Sequence, residues 1–517
     1  MFLGRIYVSF RPLIRAEALA VVGGVVALYG STELCEKLCR VAGGCEYTDL
    51  KGVAIPGFVD AHMHPTSLGR DLRQIDLRGC RSVEEVKRRI REALASGRGI
   101  VGGWVYARGW DQELFEERRL LTKHDLDEAS PRLPAIAIRV CGHLATINSV
   151  ALEKLGQELL KRFGRLVDVD ERGEPTGVIR EDAVGFVVSR IVESEGIEEL
   201  ARDLEEAQRH ALRHGVVGAG FMSVTLHDLR AVAELCRRGL LRMRMALYLD
   251  PEALQALEAL EMPLGSLSIG SATIRGLKLF ADGSLGARTA YLSSPYADDP
   301  QTRGVEALKP SEIASWILRA RRLGLDVAIH AIGDAALDNV LKAIEETGFR
   351  ARIEHLSVVR DDQLEKLAKL RVRGSIQPHF VITDWWVVQR LGRERARWVY
   401  RFRDLAELGL ELGISTDAPV EPVNPFETLY AAVDRGESLG LEIAELTPDQ
   451  RLDVVTALDM YTRISSAVCG LHDLGTLEPG KRASFTVLDR DPLEASPEEL
   501  RRITVLETYV DGVREYP

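Results

Sequence analysis

Residues 57–65 read Gly57-Phe58-Val59-Asp60-Ala61-His62-Met63-His64-Pro65 and follow the short apolar run Val53-Ala54-Ile55. Successive side chains of an extended strand point to opposite faces, so His62 and His64 are expected to project in the same direction. Two imidazoles side by side make a bidentate ligand for a transition metal. A His-x-His pair also arises by chance, so the rest of the chain has to supply further ligands.

The composition favours a globular protein that acts on a small molecule. The chain has 517 residues, of which 46% are hydrophobic, enough for a large core and more than one domain. The net charge is −11 and no long basic run is present, which disfavours nucleic acid or an anionic membrane as partner. We therefore expect a small-molecule substrate, no nucleic acid and no membrane.

The cysteines and the N-terminal apolar run bear on the compartment. The 7 cysteines are odd in number and scattered, which favours a reducing cytosol over a disulfide framework. Cys35, Cys39 and Cys45 lack a CxxC spacing and a fourth ligand nearby, which disfavours a metal cluster. Residues 18–28 resemble a signal-peptide core, but a β-hairpin turning at Gly23-Gly24 explains them better. No segment approaches the roughly 18 apolar residues of a membrane span, and the sequence predicts a cytoplasmic protein.

Both ends of the chain are rich in strand-like runs. Residues 1 to about 52 hold such runs and no long helical pattern, and residues 483–489 and 505–513 are extended in character. We therefore expect residues 1–52 and 470–517 to form one small β-sandwich domain.

Between these ends, strands alternate with amphipathic helices, which indicates a parallel α/β layout. Eight strands are predicted near 53–60, 216–221, 243–249, 274–280, 326–330, 351–355, 372–377 and 411–416. Helices are predicted between most of them, at 197–214, 310–323, 335–347 and 361–370. Eight such units predict a (β/α)8 TIM barrel over 53–469, with a large inserted subdomain at about 66–215 after the first strand.

Polar residues recur at the carboxyl ends of the predicted strands, where a TIM barrel carries its reactive groups. The six residues that share this location are His62, His64, Lys278, His330, His355 and Asp417. Each alone has an ordinary alternative: a lone histidine is more often a surface residue, Lys278 could extend into solvent, and Asp417 could cap a helix. Their shared location favours one common site.

The order His-x-His, Lys, His, His, Asp on strands one, four, five, six and eight resembles the amidohydrolase superfamily. The stretch at 56–64 is the commonest form of its first-strand motif. Further matching stretches are residues 142–149, 278–286, 330–336, 415–419 and 475–485. Together they resemble the branch of amidohydrolase family 3 type that includes the N-substituted formamide deformylases, over nearly the whole chain.

The resemblance implies a centre of two divalent metal ions. The first-strand histidines would bind one ion, and His330 and His355 would bind the other. Lys278 would bridge the ions as a carbamate formed with CO₂, because its ammonium form would repel them. Asp417 would bind the first ion. Zinc suits imidazole and carboxylate ligands, while iron, manganese and cobalt stay open.

The implied reaction is hydrolysis of a carbon–nitrogen bond of amide or N-formyl type, other than a peptide bond. Metal ions generate hydroxide near neutral pH and polarise the scissile carbonyl. Asp417 would act as general acid/base and pass a proton to the leaving nitrogen. The alternatives are a deaminase of a ring amidine, whose relatives generally lack the lysine, and a non-catalytic scaffold. The substrate and the oligomeric state stay open, although homo-oligomers, as dimers or larger assemblies, are common among similar proteins.

Four further residues are candidates for substrate binding: His143, Glu181, Asp282 and Arg288. His143 lies in a loop of the insertion, where a purely structural hydrogen bond is an equal alternative. Glu181 is followed by Asp182, so an exposed acidic pair explains it as well. Asp282 and Arg288 follow the lysine strand closely enough to reach the rim of the barrel.

Overall fold

Twenty-three β-strands form the framework of the protein in a computed structural model, which describes residues 1–517 apart from the side chain of Ser266. In chain order the strands are β1 (Phe2–Phe10), β2 (Leu13–Val22), β3 (Val25–Gly30), β4 (Thr48–Pro56), β5 (Phe58–Met63), β6 (Ile75–Asp76), β7 (Ile100–Val101), β8 (Trp104–Trp110), β9 (Ala135–Arg139), β10 (Leu144–Ile147), β11 (Val167–Val169), β12 (Pro175–Arg180), β13 (Val216–Val224), β14 (Arg244–Leu249), β15 (Ser268–Ile269), β16 (Ala272–Phe280), β17 (Asp326–Ala331), β18 (Arg352–His355), β19 (Arg373–Ile376), β20 (Glu411–Ile414), β21 (Phe485–Leu488), β22 (Val505–Val510) and β23 (Val513–Tyr516).

The helices are α1 (Thr32–Val41), α2 (Pro65–Arg73), α3 (Val83–Ala95), α4 (Lys123–Ala129), α5 (Ser149–Phe163), α6 (Asp182–Glu193), α7 (Ile197–Arg213), α8 (Leu226–Arg237), α9 (Pro251–Glu258), α10 (Pro310–Arg322), α11 (Asp334–Thr347), α12 (Asp361–Leu370), α13 (Phe380–Thr383), α14 (Val387–Leu391), α15 (Phe402–Glu407), α16 (Pro425–Asp434), α17 (Glu442–Leu446), α18 (Val454–Asp459), α19 (Ser465–Cys469) and α20 (Pro497–Leu500). Among the described residues, none of these helices combines the length and the apolar character that a membrane crossing requires.

The two chain ends build one seven-stranded sheet in the order β23-β22-β21-β4-β1-β2-β3. Strand β1 pairs parallel with β4, and β21 from the C-terminal end pairs antiparallel with β4. The rings of Phe485 and Tyr509 stack at 4.5 Å in its core. The predicted hairpin is present, because β2 and β3 pair across Gly23 and Gly24, whose φ angles are +57° and +79°.

One disulfide departs from the expectation of reduced thiols. Cys39 of α1 is bonded to Cys45, six residues further on. The expectation is wrong for this pair, because the count and scatter of cysteines carry no information about which of them the fold brings together. The other five cysteines are free thiols in the described chain.

Eight parallel strands form the TIM barrel that the sequence predicts, in the order β20-β19-β18-β17-β16-β14-β13-β5. The first and last strands of this row meet at their carboxyl ends. There the amide of Asp417 donates to the carbonyl of His62, and the amide of His64 donates to the carbonyl of Ala418, both at 2.8 Å. These two bonds bring the residues that follow β20 against the His-x-His pair.

The predicted first barrel strand at 53–60 is in fact two strands. β4 ends at Pro56 in the terminal sheet, and β5 begins at Phe58 in the barrel. Gly57 allows the change of sheet: its amide donates to the carbonyl of Ser484, just before β21, and a Cβ atom at Gly57 would lie 2.5 Å from the Val217 side chain. An apolar run alone does not reveal that its two halves belong to different sheets.

Residues 66–207 form a compact unit of their own, and residues 1–65 with 208–517 form the other. The unit at 66–207 contains a mixed sheet in the order β11-β12-β10-β9-β8-β6, with β7 beside β8. Buried side chains around Trp110 and Phe115 make one of its hydrophobic clusters, and a second contains Trp104 and Phe186. The insertion after the first barrel strand therefore has its own core.

Candidate metal centre

The two histidines of the first-strand motif present the same ring nitrogen to the barrel rim. Nδ1 of His62 lies 2.7 Å from Oε2 of Glu354, and Nδ1 of His64 lies 3.2 Å from the carbonyl oxygen of Met222. A carboxylate and a carbonyl only accept hydrogen bonds, so both rings carry their hydrogen on Nδ1. The lone pair of each Nε2 is left available as a ligand.

Asp417 brings a carboxylate oxygen to these two nitrogens. Its Oδ1 lies 3.4 Å from Nε2 of His62 and 3.2 Å from Nε2 of His64, and the three ligand atoms all lie within 4.8 Å of one another. This oxygen is buried and has no hydrogen-bond partner among the described residues. The Nε2 lone pairs of the two histidines face this carboxylate oxygen, and all three carry negative charge density. A cation between them would stabilise the arrangement, so the three residues fit a divalent metal.

Lys278, His330 and His355 complete the predicted set. The ring of His355 lies 5.0 Å from that of His62 and 4.4 Å from that of His330, between centroids. Nζ of Lys278 lies 3.4 Å from Nε2 of His62. Nδ1 of His355 contacts Gln377 at 2.8 Å and leaves its Nε2 free, whereas Nε2 of His330 contacts the carbonyl of Gly283 at 2.9 Å and leaves its Nδ1 free. All six residues therefore converge.

Burial sets the protonation of this group. It lowers the pKa of His62 to about 4 and that of His330 to about 3, so both rings are neutral at pH 7 and keep a lone pair. Burial also lowers the pKa of Lys278 to about 8, which favours the neutral amine that can react with CO₂.

A buried layer behind the ligands was not predicted from the sequence. Glu354, which contacts His62, accepts a hydrogen bond from Arg352 at 3.0 Å and one from Ser375 at 2.5 Å. Gln377, which contacts His355, donates to the hydroxyl of Ser415 at 2.8 Å. The available signal was the pattern Arg352-Ile353-Glu354-His355, in which two opposite charges two residues apart interrupt a short buried strand.

A cavity of about 390 Å³ opens beside His330, His355 and Asp417. Its wall is mainly apolar, and the apolar side chains are Leu285, Ile332, Phe380 and Val420. Its polar side chains, apart from the ligands, are Ser284, Ser357, Asp384 and Tyr400. A mostly apolar cavity with a few polar groups is typical of a small-molecule site.

The four predicted substrate-binding residues all have partners within the protein, and Oδ1 of Asp282 also lies 3.4 Å from Nε2 of the metal-ligand candidate His330. His143 and Glu181 belong to the unit at 66–207, where Nδ1 of His143 lies 3.0 Å from Oε2 of Glu181. Asp282 accepts from the amides of three residues, Tyr291, Ile332 and Gly333, at 2.7 to 3.1 Å. Arg288 forms an ion pair with Asp298 at 2.8 Å. Their contribution to substrate binding stays a prediction.

The model of the amidohydrolase family matches residues 46–516. The chain belongs to the amidohydrolase family. This confirms the resemblance that the strand-end motifs indicate. This amidohydrolase is 31% identical over 528 residues to the putative amidohydrolase YtcJ of Bacillus subtilis, covering 98% of this chain and 97% of YtcJ.

Two further relatives of this amidohydrolase are similar over nearly their full length. It is 29% identical over 542 residues to the N-substituted formamide deformylase of Arthrobacter pascens, covering 97% of this chain and 95% of that protein. Among solved structures, a metal-dependent hydrolase from Pyrococcus horikoshii is similar with a TM-score of 0.86 and 41% identity, covering 96% of this chain and 98% of that chain.

Proposed function

We propose that this amidohydrolase is a metal-dependent hydrolase that cleaves a carbon–nitrogen bond of amide or N-formyl type, other than a peptide bond. The observation that carries the proposal is the convergence of Nε2 of His62, Nε2 of His64 and the unpaired Oδ1 of Asp417 within 4.8 Å. The names of two relatives support it, since one is described as a deformylase of N-substituted formamides and one as a metal-dependent hydrolase.

The residues divide into two sets of ligands for two divalent ions, with zinc as the best match to their chemistry. The first-strand histidines and Asp417 would hold one ion. His330 and His355 would hold the other, and a carbamate on Lys278 would join the two. When bound, the metal supplies hydroxide near neutral pH and polarises the scissile carbonyl.

Asp417 is the proton carrier in this proposal. Its backbone amide donates a hydrogen bond to the carbonyl of His62. Its backbone φ angle of +60° lies in the left-handed region, which few non-glycine residues adopt. As a carboxylate, Asp417 can take a proton from the attacking nucleophile through Oδ1. The same oxygen then delivers that proton to the leaving nitrogen.

We also infer that this reaction takes place on a small molecule in the cytoplasm, without nucleic acid or membrane as partner. A cavity of about 390 Å³ has the size of a site for a small ligand. The net charge of −11 disfavours polyanionic partners.

The test is a panel of N-formyl amines, N-acyl amino acids, cyclic amides and aminopurines offered to the metal-loaded enzyme, with acid release and ammonia release measured separately. We expect carboxylic acid or formate from at least one amide class. Ammonia from the purines alone would contradict the amide proposal and favour a deaminase. A purified protein that binds no divalent metal after reconstitution would contradict metal-dependent hydrolysis and favour a scaffold.

A further inference from the structure

Asp384 is the one carboxyl group in the described wall of the cavity besides the metal-ligand candidate Asp417. Its Oδ2 accepts a hydrogen bond from the hydroxyl of Tyr400, which also lines the cavity. Within the described part of the chain, no cation forms an ion pair with Asp384 and no donor contacts its Oδ1. One oxygen of this carboxyl group is therefore free to bind a ligand.

The charged residues close to Asp384 are already engaged elsewhere. Glu421 pairs with Nδ1 of His379, and Arg390 pairs with Asp298 at 2.9 Å. Burial raises the pKa of Asp384 to about 6, so the group is still ionised at neutral pH. A partly buried carboxylate with a single neutral donor is poorly compensated for its lost hydration.

Tyr400 is held in place by bonds on both sides of its backbone. Its amide donates to the carbonyl of Ser357 at 2.9 Å, and its own carbonyl accepts from the guanidinium of Arg435 at 2.8 Å. Arg435 is fully buried and also donates to the carbonyl of Val399 at 3.0 Å. The φ angle of Tyr400 is +53°, a conformation that non-glycine residues keep only when the surroundings enforce it. The Tyr400 hydroxyl is thus fixed against Asp384.

We propose that Asp384, oriented by Tyr400, binds a primary ammonium group of the substrate, so that the substrate is an amide or N-formyl compound whose apolar arm ends in an amine. The apolar wall would contact the arm, while His330 and His355 line the same cavity and face the scissile end. The nature of the cleaved bond rests on the proposed function, whereas the ammonium site rests on Asp384 alone.

The direct test measures binding of hexylamine and of 1-hexanol to the metal-loaded protein by calorimetry at pH 7.5. The two probes share the apolar arm and differ in the charged end. We expect hexylammonium to bind about tenfold or more tightly than the alcohol, the usual effect of a hydrogen bond to a charged group. The preference should disappear in Asp384→Asn, with the affinity for hexanol unchanged.

The matched control is Glu365→Gln, which removes one negative charge from an exposed position of α12 outside the cavity. It should keep the full preference for hexylammonium. Equal affinities of the two probes in the native protein, or a preference that survives in Asp384→Asn, would overturn the proposal. The comparison within the native protein remains decisive should Asp384→Asn fail to fold.

Turnover separates this inference from the proposed function. Mono-N-formyl-1,6-diaminohexane and N-formylhexylamine differ only in the terminal amine, and we expect the first to have the higher kcat/KM. Equal kcat/KM for both formamides would overturn the ammonium site and leave the hydrolase proposal intact. An ammonium preference in binding that depends on Asp384, without hydrolysis of any amide in the wider panel, would reject the hydrolase proposal instead.

Discussion

Nδ1 of His62 lies 2.7 Å from Oε2 of Glu354, a fully buried carboxylate on another strand of the barrel. Although burial alone raises the pKa of Glu354, Arg352 and His62 lower it well below its usual value, so the carboxylate stays charged. It therefore accepts the His62 hydrogen and orients the ring so that Nε2 faces Asp417. The metal-ligand geometry of β5 thus depends on β18.

We expect Glu354→Gln to weaken metal binding by about tenfold or more, because an amide is a poorer acceptor for the imidazole hydrogen. The measurement is competition with a chelator of known affinity, with circular dichroism to check the fold. Glu365→Gln is the control, because it also replaces one glutamate by glutamine and should leave metal affinity unchanged. Metal affinity equal to that of the native protein would show that the contact between Glu354 and His62 does not support the ligand.

Lys278→Ala should lose most of the bound metal and most of the activity. The side chain is buried beside His62, so its removal also leaves a space that a small carboxylic acid can enter. Formate, acetate or propionate should restore part of both properties, because a carboxylate can replace a carbamate as a bridging ligand. Metal analysis with and without added acid is the measurement, and Lys366→Ala on exposed α12 is the control. Unchanged metal content would reject the carbamate bridge.

The convergence of the six metal-ligand candidates was predictable because the information that places each one is local. A period of two in an apolar run locates a strand, and the residue at its carboxyl end faces the barrel rim whatever the neighbouring strands are. The helix predicted at 361–370 and the strand predicted at 326–330 likewise agree with α12 and β17 to within a residue. Such elements depend on their own pattern of apolar residues.

Features that depend on which segments meet were not predictable in this way. Residues 53–59 carry no polar side chain, and only the pairing partners of β4 and β5 show that the strand predicted at 53–60 divides at Gly57. The contact between Tyr400 and Asp384 joins two parts of the connection between β19 and β20, 16 residues apart, and nothing in either part indicates the other. The same holds for Glu354, whose buried partner His62 lies on another barrel strand.

Asp282→Asn tests whether this residue binds substrate, as the sequence predicts, or organises the backbone. Its two oxygens accept from the amides of Tyr291, Ile332 and Gly333, so an asparagine NH₂ group would face at least one N–H donor. We expect the free energy of unfolding to fall by about 1–3 kcal/mol. Denaturant unfolding measures this loss. Unchanged stability with a raised KM would instead support direct substrate binding.

The affinity for hexylammonium should depend on pH through Asp384. Burial raises the pKa of this carboxyl to about 6, above the usual value of an aspartate. As the pH falls, Asp384 therefore takes up its proton at a higher pH in the folded protein than in the unfolded protein. Binding should therefore be constant above pH 7 and weaken as the pH falls through 6, reaching about tenfold per pH unit below that. Titration calorimetry between pH 5 and pH 8 measures it, and hexanol should show no such change.

Asp384→Asn is the control for this pH dependence, because it removes the carboxyl and keeps the ionisable groups around it. Tyr400, Glu421 and Arg390 face the carboxyl, and His379 pairs with Glu421. In Asp384→Asn these groups are all retained, so the pH dependence of hexylammonium binding should vanish if Asp384 is its source. Because hexylammonium binds the ionised carboxyl, which prevails at pH 7.5, it should also raise the Tm more at pH 7.5 than at pH 5.5. A pH dependence that persists in Asp384→Asn would contradict the ammonium site.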